Sequence, residues 1–247
     1  MKERRVASTQ KTVIVTGASQ GIGAGIVRAF LERGYNVVGT ARHATTSKEL
    51  SVSERLALVD GDIGQVETAK KTVELAINRF GFIHALVSNA GIYLAKPFTN
   101  YTRDDFRALA STNLEGFIYI AQLVVKQMQA QKSGGSIVCI TAALADNPIS
   151  GSPASVAMMT KGGLNAAVKS LSSEYAKEHI RFNAVAPGVV DSPLHAETSP
   201  ELLARLTPMA SISTIEDVAD AVLYLTEARQ ITGEILHVDG GAHIGKW

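Results

Sequence analysis

Short runs of apolar, β-branched residues alternate along the chain with longer stretches in which apolar residues recur every three or four positions. A strand buried on both faces has the first pattern, and an amphipathic helix has the second. Strands are predicted at 12–16, 36–41, 56–60, 84–88, 136–141, 181–186 and 235–238. Helices are predicted at 22–33, 65–79, 103–131, 153–178 and 215–227. This regular alternation predicts an α/β protein.

No internal repeat, low-complexity tract or Ser/Gly linker interrupts the series, so one domain is predicted over 12–247. The expected architecture is a single-domain Rossmann fold, a doubly wound seven-stranded parallel sheet with helices on both faces. Residues 1–11 are predicted to form a flexible N-terminal tail, because no apolar stretch follows their basic side chains before the first strand. The segment 191–210, rich in Ser, Thr and Pro, is predicted to be a mobile loop over the site.

Composition and charge narrow the possible partners. The 24 basic and 23 acidic side chains nearly cancel, so no nucleic-acid partner is predicted. No apolar run approaches the roughly 20 residues that cross a bilayer, so no membrane span is predicted. Cys139 is the only cysteine, which excludes an internal disulfide and a cysteine-based metal site and favours a cytoplasmic location. No metal site is predicted.

A glycine-rich turn joins the first strand to the first helix, which is where dinucleotide-binding folds hold phosphate. Gly17 suits a tight turn, Gly21 suits close approach of a pyrophosphate, and Gly23 suits close packing of the helix. The helix N-terminus offers unpaired N–H groups to an anion. Cofactor contacts in this turn are predicted at Gly17, Ser19, Gln20, Gly21, Ile22 and Gly23. A glycine-rich turn without a ligand is the less favoured interpretation.

The residues at the end of the second strand indicate whether NAD(H) or NADP(H) is bound. NAD-binding proteins with this fold usually carry an acidic residue there for the ribose 2′-hydroxyl, but the strand ends at Ala41 and Arg42. Arg42 is suited to a charge-assisted contact with a 2′-phosphate, and NADP(H) is therefore the predicted cofactor, with NAD(H) as the second option. The alternative is that Arg42 is a solvated surface cation.

Five motifs, in order along the chain, resemble the signature of the short-chain dehydrogenase/reductase family of the classical type. They are the turn Thr16-Gly17-x-x-x-Gly21-x-Gly23, Ser-Asn-Ala-Gly at 88–91, Thr-Asn-Leu-Glu-Gly at 112–116, Asn-Ala-Val-Ala-Pro-Gly at 183–188 and Val-Asp-Gly-Gly at 238–241. The matches cover nearly the whole chain. The resemblance implies an NAD(P)-dependent oxidoreductase that interconverts a carbonyl and a secondary alcohol, with a small-molecule substrate.

The same resemblance implies further cofactor contacts along the adenine, the adenosine ribose and the nicotinamide. In that order they fall at Asp62 and Ile63, at Asn89, Ala90 and Gly91, and at Lys161, Pro187, Gly188 and Val190. Two of these residues also have a structural interpretation, Asp62 as a helix cap and Asn89 as the centre of an Asx turn.

Catalysis in the family uses a Ser that holds the carbonyl, a Tyr that exchanges its proton, and a Lys four residues after the Tyr. Lys161 occupies the lysine position, and Asn113 matches the helix Asn of the catalytic set. Ala157 and Ala142 occupy the Tyr and Ser positions, so both hydroxyls are missing. A positioned general acid supplies about 10²–10⁴-fold in rate, so hydride transfer is expected to be slow, not abolished. A water held by Asn113 and Lys161 is one hypothesis for the proton source.

Other hydroxyls near the two alanines have open roles. Thr141 is predicted to point away from the empty Ser position, because neighbouring strand residues face opposite sides of a sheet. Ser152 and Ser155 lie close to the missing Tyr in sequence, but both also suit the start of the helix that carries Lys161. Tyr93 has two possible roles, contact with a substrate and packing against neighbouring side chains.

Three accounts of the missing hydroxyls stay open. The first is a natural reductase with non-standard proton delivery. The second is a catalytically impaired cofactor-binding homologue that acts as a sensor or scaffold. The third is deliberate inactivation by replacing Ser and Tyr with Ala. Met158 and Met159 also differ from the small residues usual before the family's Lys, which favours a natural variant.

The residues around the two alanines predict the character of the substrate pocket, and the family resemblance predicts the oligomeric state. Ala142, Ala157, Met158, Met159 and the loop 191–210 are predicted to line a roomy, apolar pocket, which favours an apolar or bulky carbonyl compound. The resemblance implies a homotetramer formed through the helices 103–131 and 153–178 and through the C-terminal strand region.

Overall fold

The structure is a computed structural model that describes residues 10–149, 151–195 and 198–245. Most of the predicted tail, residues 1–9, lies outside the described residues. The strands are β1 Thr12–Thr16, β2 Asn36–Ala41, β3 Leu56–Asp60, β4 Ala85–Ser88, β5 Gly135–Ile140, β6 Ile180–Pro187 and β7 Ile235–Val238. The helices are α1 Gly21–Glu32, α2 Val66–Phe80, α3 Arg103–Ala110, α4 Gly116–Gln131, α5 Ser155–Glu174, α6 Pro200–Ala204 and α7 Ile215–Glu227.

The strands form one seven-stranded sheet in the order β3-β2-β1-β4-β5-β6-β7, and every neighbouring pair is parallel. The predicted single-domain Rossmann fold is therefore confirmed. Because β1 pairs with both β2 and β4, the order of the strands reverses direction beside β1. In doubly wound sheets, ligands bind outside the carboxyl ends of the strands at such a point.

Two apolar cores cover the two faces of the sheet. Ile14 of β1 faces the layer formed by α2, α4 and α5, whereas its neighbours Val13 and Val15 face the layer formed by α1 and α7. This alternation along one strand explains why the strands are apolar at almost every position, since both faces are covered.

Several predicted boundaries needed correction. The predicted helix 103–131 is divided into α3 and α4 by a π-helical turn at Ser111–Glu115. The helix predicted at 153–178 begins at Ser155 and ends at Glu174, followed by a 3-10 turn at Ala176–Glu178. Pro153 therefore lies before the helix and not in its first turn. Gly81 ends α2 in the left-handed conformation, with φ of 83°.

The described parts of the segment 191–210, residues 191–195 and 198–210, contain secondary structure that was not predicted. It contains a 3-10 turn at Pro193–His195 and the short helix α6, whose N-cap Ser199 accepts a hydrogen bond from the Leu202 N–H. Helix formation depends on this cap, which the pattern of apolar positions did not reveal. The mobility of the segment stays a prediction.

The expectation about apolar runs was wrong for one helical stretch. Arg103–Gln131 is 29 residues long, and its most apolar window has a mean hydropathy of 1.3, enough by length and composition alone to cross a membrane. Ile120, Val124 and Met128 of this stretch are fully buried in the core beside the sheet. The apolar character therefore serves packing in the core.

Candidate functional site

A cleft of about 1730 Å³ lies at the carboxyl ends of the strands, beside β1 and β4. Every residue predicted to contact the cofactor lines this one cleft. These residues are Gly17, Ser19, Gln20, Gly21, Ile22, Gly23, Arg42, Asp62, Ile63, Asn89, Ala90, Gly91, Lys161, Pro187, Gly188 and Val190. Residues that are separated along the chain meet here because parallel strands all end at the same edge of the sheet.

The glycine-rich turn requires its glycines. Gly17 has φ of +65°, and a Cβ there would lie 2.8 Å from the Ala90 Cα. A Cβ at Gly23 would lie 2.0 Å from the Gly17 carbonyl oxygen, and Gly21 has φ of +55°. Side chains at these positions would clash or be strained. The turn therefore places no side chain of these three residues at the N-terminus of α1, where a dinucleotide phosphate would bind.

Asn89 ties the end of β4 to this turn. Its side-chain amide donates to the carbonyls of Thr16 at 2.9 Å and Gly17 at 3.1 Å. In return, the Thr16 hydroxyl accepts hydrogen bonds from the main-chain N–H groups of Asn89 and Ala90. The side chain of Asn89 thus supports the glycine-rich turn and not an Asx turn of its own, and the segment that it begins lines the cleft.

Asp62 and Ile63 form the wall between β3 and α2. The Asp62 carboxylate accepts from the Gly64 N–H at 3.0 Å, while the N-cap of α2 is Gln65, so Asp62 holds the preceding turn and does not cap the helix. Ile63 is buried against Gly116, where a Cβ would lie only 2.8 Å from its Cγ2. The two residues therefore have structural contacts in addition to lining the cleft.

The segment that follows β6 is held in place by the C-terminal motif. A Cβ at Gly188 would lie 2.7 Å from the Asp239 Cβ, so the segments that contain these two residues are in contact. The buried carboxylate of Asp239 accepts from the N–H groups of Gly241 at 3.0 Å and His243 at 2.8 Å. Asp239 therefore supports the wall of the cleft at Gly188.

Lys161 lies on α5 and reaches into the cleft. Its Nζ donates to the Ile140 carbonyl at 2.8 Å and lies 2.9 Å from the point where a Cβ would stand on Gly91. Burial lowers the pKa of Lys161 to about 8. An amine in this environment exchanges its proton close to neutral pH, as a general acid or base requires.

Asn113 lies beneath the cleft wall and is buried. Its amide donates to the Ile92 carbonyl at 3.0 Å and the Thr160 hydroxyl at 2.9 Å, and its Oδ1 accepts from the Ile92 N–H at 2.8 Å. Both donors of the amide are thus used within the protein. Asn113 supports the segment at Gly91 and the residue before Lys161, and its amide has no N–H left to donate to a water.

Many of the residues that line the cleft are apolar. Ala142 and Ala157 both line it, as expected, and neither offers a hydroxyl. Other apolar residues that line the cleft are Ala143, Leu144, Ile149, Met158, Leu203 and Leu206. Met159, which was also predicted to line the pocket, is 61% exposed and is not among the lining residues. Adjacent residues of a helix point about 100° apart, so Met158 and Met159 do not share a face.

Two hydroxyls near the alanines face each other. The Tyr93 Oη lies 3.4 Å from the Ser152 Oγ, and both residues line the cleft. Ser152 does not cap α5, because the N-cap is Ala154 and no side chain caps that helix. Thr141 is buried and lines the cleft beside Ala142, and its hydroxyl donates to the Val185 carbonyl at 3.3 Å, so this hydroxyl is engaged within the protein.

The rim of the cleft contains Arg42 and the segment that follows it. Arg42 is exposed and lines the cleft together with Lys48 and Glu49. The Glu49 carboxylate accepts from the Gly21 N–H at 3.3 Å. Glu49 is not among the residues predicted from the sequence, because no motif signals a contact between residues 28 positions apart.

Two histidines and two aspartates form a second group of titratable side chains. The rings of His237 and His243 stack at 3.9 Å; the Asp146 carboxylate lies 3.0 Å from His237 Nε2, and that of Asp239 lies 3.0 Å from His243 Nδ1. The Asn147 amide also donates to the His243 carbonyl. Within the part of the chain that the structure describes, no three His, Cys, Asp or Glu side chains form a metal-binding group.

Comparisons with known proteins agree with this geometry. Residues 17–243 match the family model described as Enoyl-(Acyl carrier protein) reductase. Carbonyl reductase family member 4 of Xenopus tropicalis is 32% identical over 236 residues, covering 95% of this chain and 98% of that protein. The solved structure of ElxO with NADP bound has a TM-score of 0.85 at 28% identity, covering 96% of this chain and 100% of that chain. The 3-ketoacyl-(acyl-carrier-protein) reductase of Brucella melitensis, solved with NADH, has a TM-score of 0.88 at 25% identity, covering 94% and 98%.

Proposed function

The chain belongs to the short-chain dehydrogenase/reductase family of oxidoreductases, and from this premise we propose that it is an NADP(H)-dependent enzyme that reduces a carbonyl compound or oxidises a secondary alcohol. The observation that carries the proposal is the position of Lys161, whose Nζ reaches the cleft beside Gly91. When bound, the cofactor supplies a hydride to the carbonyl carbon or accepts one from the alcohol.

The residues of the cleft suit a dinucleotide from end to end. We assign the phosphates to the turn 17–23, the adenine to Asp62 and Ile63, the adenosine ribose to 89–91, and the nicotinamide to the segment 187–190. Arg42 on the rim supports the assignment of NADP(H), because a guanidinium recognises a phosphate through paired hydrogen bonds. The solved relatives contain NADP in one case and NADH in another, and the preference of this chain is therefore part of the proposal.

Proton delivery in this proposal depends on Lys161. Ala142 and Ala157 have no hydroxyl, so the ammonium of Lys161 is the proton donor, directly or through one water, and its neutral amine is the acceptor in the reverse direction. The lowered pKa, about 8, supports both roles. Asn113 acts as a positioning residue, since it holds the segment at Gly91 against which Nζ lies.

The apolar side chains that line the cleft favour a bulky, apolar carbonyl compound over a sugar. A sugar would bring several hydroxyls into contact with alanine, leucine, isoleucine and methionine side chains, where each would lose its hydrogen bonds to water. Tyr93 and Ser152 add a pair of hydroxyls to the lining, and this pair can hold a polar group of a substrate.

A second candidate function is cofactor binding without efficient chemistry, as in a sensor or a scaffold. The observation in its favour is that neither Ala142 nor Ala157 provides a hydroxyl to the cleft. Deliberate inactivation would give the same pair of alanines. Both versions predict that NADPH binds and that turnover is absent.

The test is NADPH oxidation against a panel of ketones, aldehydes and quinones, comparing this chain with the Ala142→Ser/Ala157→Tyr double variant. Activity in the chain as it stands supports Lys161 as the proton source. Activity in the double variant alone favours the second candidate function, and we expect any gain to be about 10²–10⁴-fold. Isothermal titration with NADPH and NADH separates these outcomes from a failure to bind cofactor, which would contradict both functions.

We also propose that the protein is a homotetramer in the cytoplasm. Ile118 of α4 and Phe106 of α3 are 44% and 53% exposed, and Met159 of α5 adds a third exposed apolar side chain on the helices expected at the interface. The single cysteine, Cys139, is buried and unpaired, which supports a reducing compartment. Size-exclusion chromatography with light scattering tests the oligomeric state, and a monomeric mass would contradict it.

A further inference from the structure

The segment between β2 and β3 folds back onto the glycine-rich turn. The Ser47 hydroxyl donates to the Ser19 carbonyl at 2.6 Å, and the Glu49 N–H donates to the same hydroxyl at 3.1 Å. These bonds hold Glu49 over the start of α1. The segment therefore brings an acidic side chain to the position in the cleft where a phosphate is expected.

The Glu49 carboxylate is engaged with both of its oxygens. Its Oε1 accepts from the Gly21 N–H at 3.3 Å, and its Oε2 accepts from the Arg28 guanidinium at 3.0 Å. The N-cap residue Gln20 makes no side-chain cap hydrogen bond, and the first turn of α1 carries no acid of its own. Glu49 thus supplies the negative charge that a helix N-terminus favours, and it also binds a nearby arginine.

A dinucleotide phosphate requires the same kind of partner. It would accept from N–H groups at the start of α1 and attract arginine side chains, which is what the Glu49 carboxylate already does. Binding therefore either displaces Glu49 from Gly21 or leaves two negative charges side by side. In both cases the carboxylate weakens the binding of an anionic ligand.

We propose that Glu49 is a specificity-determining residue of the cofactor site, a built-in anion that competes with the phosphates of the dinucleotide and discriminates most strongly against a 2′-phosphate. The inference rests on the proposed function. The 2′-phosphate adds about two negative charges, so NADPH meets more repulsion from Glu49 than NADH does. Arg42 on the same rim opposes this effect, and the balance between Glu49 and Arg42 sets the preference for one cofactor.

The test is isothermal titration of NADPH and NADH into the full chain and into Glu49→Gln, which keeps the size of the side chain and removes its charge. We expect the Kd to fall for both cofactors, about 3- to 10-fold for NADPH and by a smaller factor for NADH, which lacks the 2′-phosphate. Glu32→Gln is the matched control, because Glu32 is exposed at the opposite end of the same helix. It should leave both affinities unchanged.

A second readout needs no titration calorimeter and no turnover. The rise in Tm on adding saturating NADPH should be larger for Glu49→Gln than for the unmodified chain, because a tighter ligand stabilises the folded state further. An unchanged or weaker affinity of Glu49→Gln for NADPH overturns the inference while the proposed function stands. Failure of both the unmodified chain and the variant to bind either dinucleotide overturns the proposed function as well.

Discussion

The ammonium of Lys161 donates a hydrogen bond of 2.8 Å to the main-chain carbonyl of Ile140, the last residue of the strand that precedes Ala142. This bond fixes the amine between β5 and Gly91, at the point where the family resemblance implies two hydroxyls that the chain lacks. Burial of this amine lowers its pKa. The same burial therefore affects both the stability of the folded protein and the ability of Lys161 to exchange a proton.

Replacing Lys161 by Met should stabilise the folded protein and slow its turnover. Burial disfavours the charged amine, so its removal should raise the free energy of unfolding at pH 7 by roughly 1–3 kcal/mol. Loss of the proton donor should cost about 100-fold or more in rate. Urea unfolding without cofactor and NADPH oxidation measure the two effects. Lys169 is an exposed lysine on the same helix, so Lys169→Met should change neither the stability nor the rate. A Lys161→Met variant that is less stable than the unmodified protein would contradict this prediction.

That stabilisation should itself depend on pH. The folded protein releases the Lys161 proton near pH 8, whereas the unfolded chain holds it up to the ordinary value of 10.5. The unfolded state therefore binds more protons between about pH 8 and 10.5, and the unmodified protein gains stability as the pH rises through this window. The advantage of Lys161→Met should be complete below pH 8 and should shrink above it. An advantage that stays constant from pH 7 to 10.5 would show that burial of the charge is not its cause.

The two directions of the reaction should depend on pH in opposite senses. Carbonyl reduction needs the protonated amine of Lys161, so its rate should fall as the pH rises through about 8. Alcohol oxidation needs the neutral amine, so its rate should rise over the same range. Profiles of kcat with saturating cofactor measure both. Profiles without an inflection between pH 7 and 9 in either direction would rule out Lys161 as the proton donor.

Replacing Arg42 by Ala should weaken the binding of NADPH more than the binding of NADH. The guanidinium can form paired hydrogen bonds with a 2′-phosphate, and we expect the Kd for NADPH to rise about tenfold and that for NADH less than about twofold. Titration calorimetry measures both values. The control is Arg229→Ala, which removes an exposed arginine that does not line the cleft. Equal losses for the two cofactors would contradict the assignment of Arg42.

Replacing Gly91 by Ala should impair activity with little loss of stability. Its Cβ would lie 2.9 Å from the Lys161 Nζ and 3.3 Å from the Asn113 Oδ1, so the flexible end of the lysine must move. A small displacement of a catalytic group costs about tenfold or more in rate, whereas the fold should lose less than about 1 kcal/mol. Gly162→Ala is the matched control, since a Cβ there meets nothing within 4 Å. Full activity of Gly91→Ala would show that the position of Nζ is not critical.

The sequence by itself was sufficient for the sheet, the glycine-rich turn and the predicted cofactor contacts, all of which line the cleft. Strands buried on both faces leave a continuous apolar pattern, and Gly17 and Gly23 are required by contacts within one turn, so local patterns carry this information. Element boundaries were less accurate where a cap or a π-helical turn decides them, as at Ser199 and at Ser111–Glu115.

Only the tertiary structure decided which polar groups meet across the cleft. The contacts of Glu49 with Gly21, of Tyr93 with Ser152 and of Lys161 with Ile140 join residues 28, 59 and 21 positions apart. No periodic pattern encodes such pairs, because their geometry depends on how strands and helices pack. The tertiary structure also showed that the amide of Asn113 is engaged within the protein, whereas the sequence could only group it with Lys161.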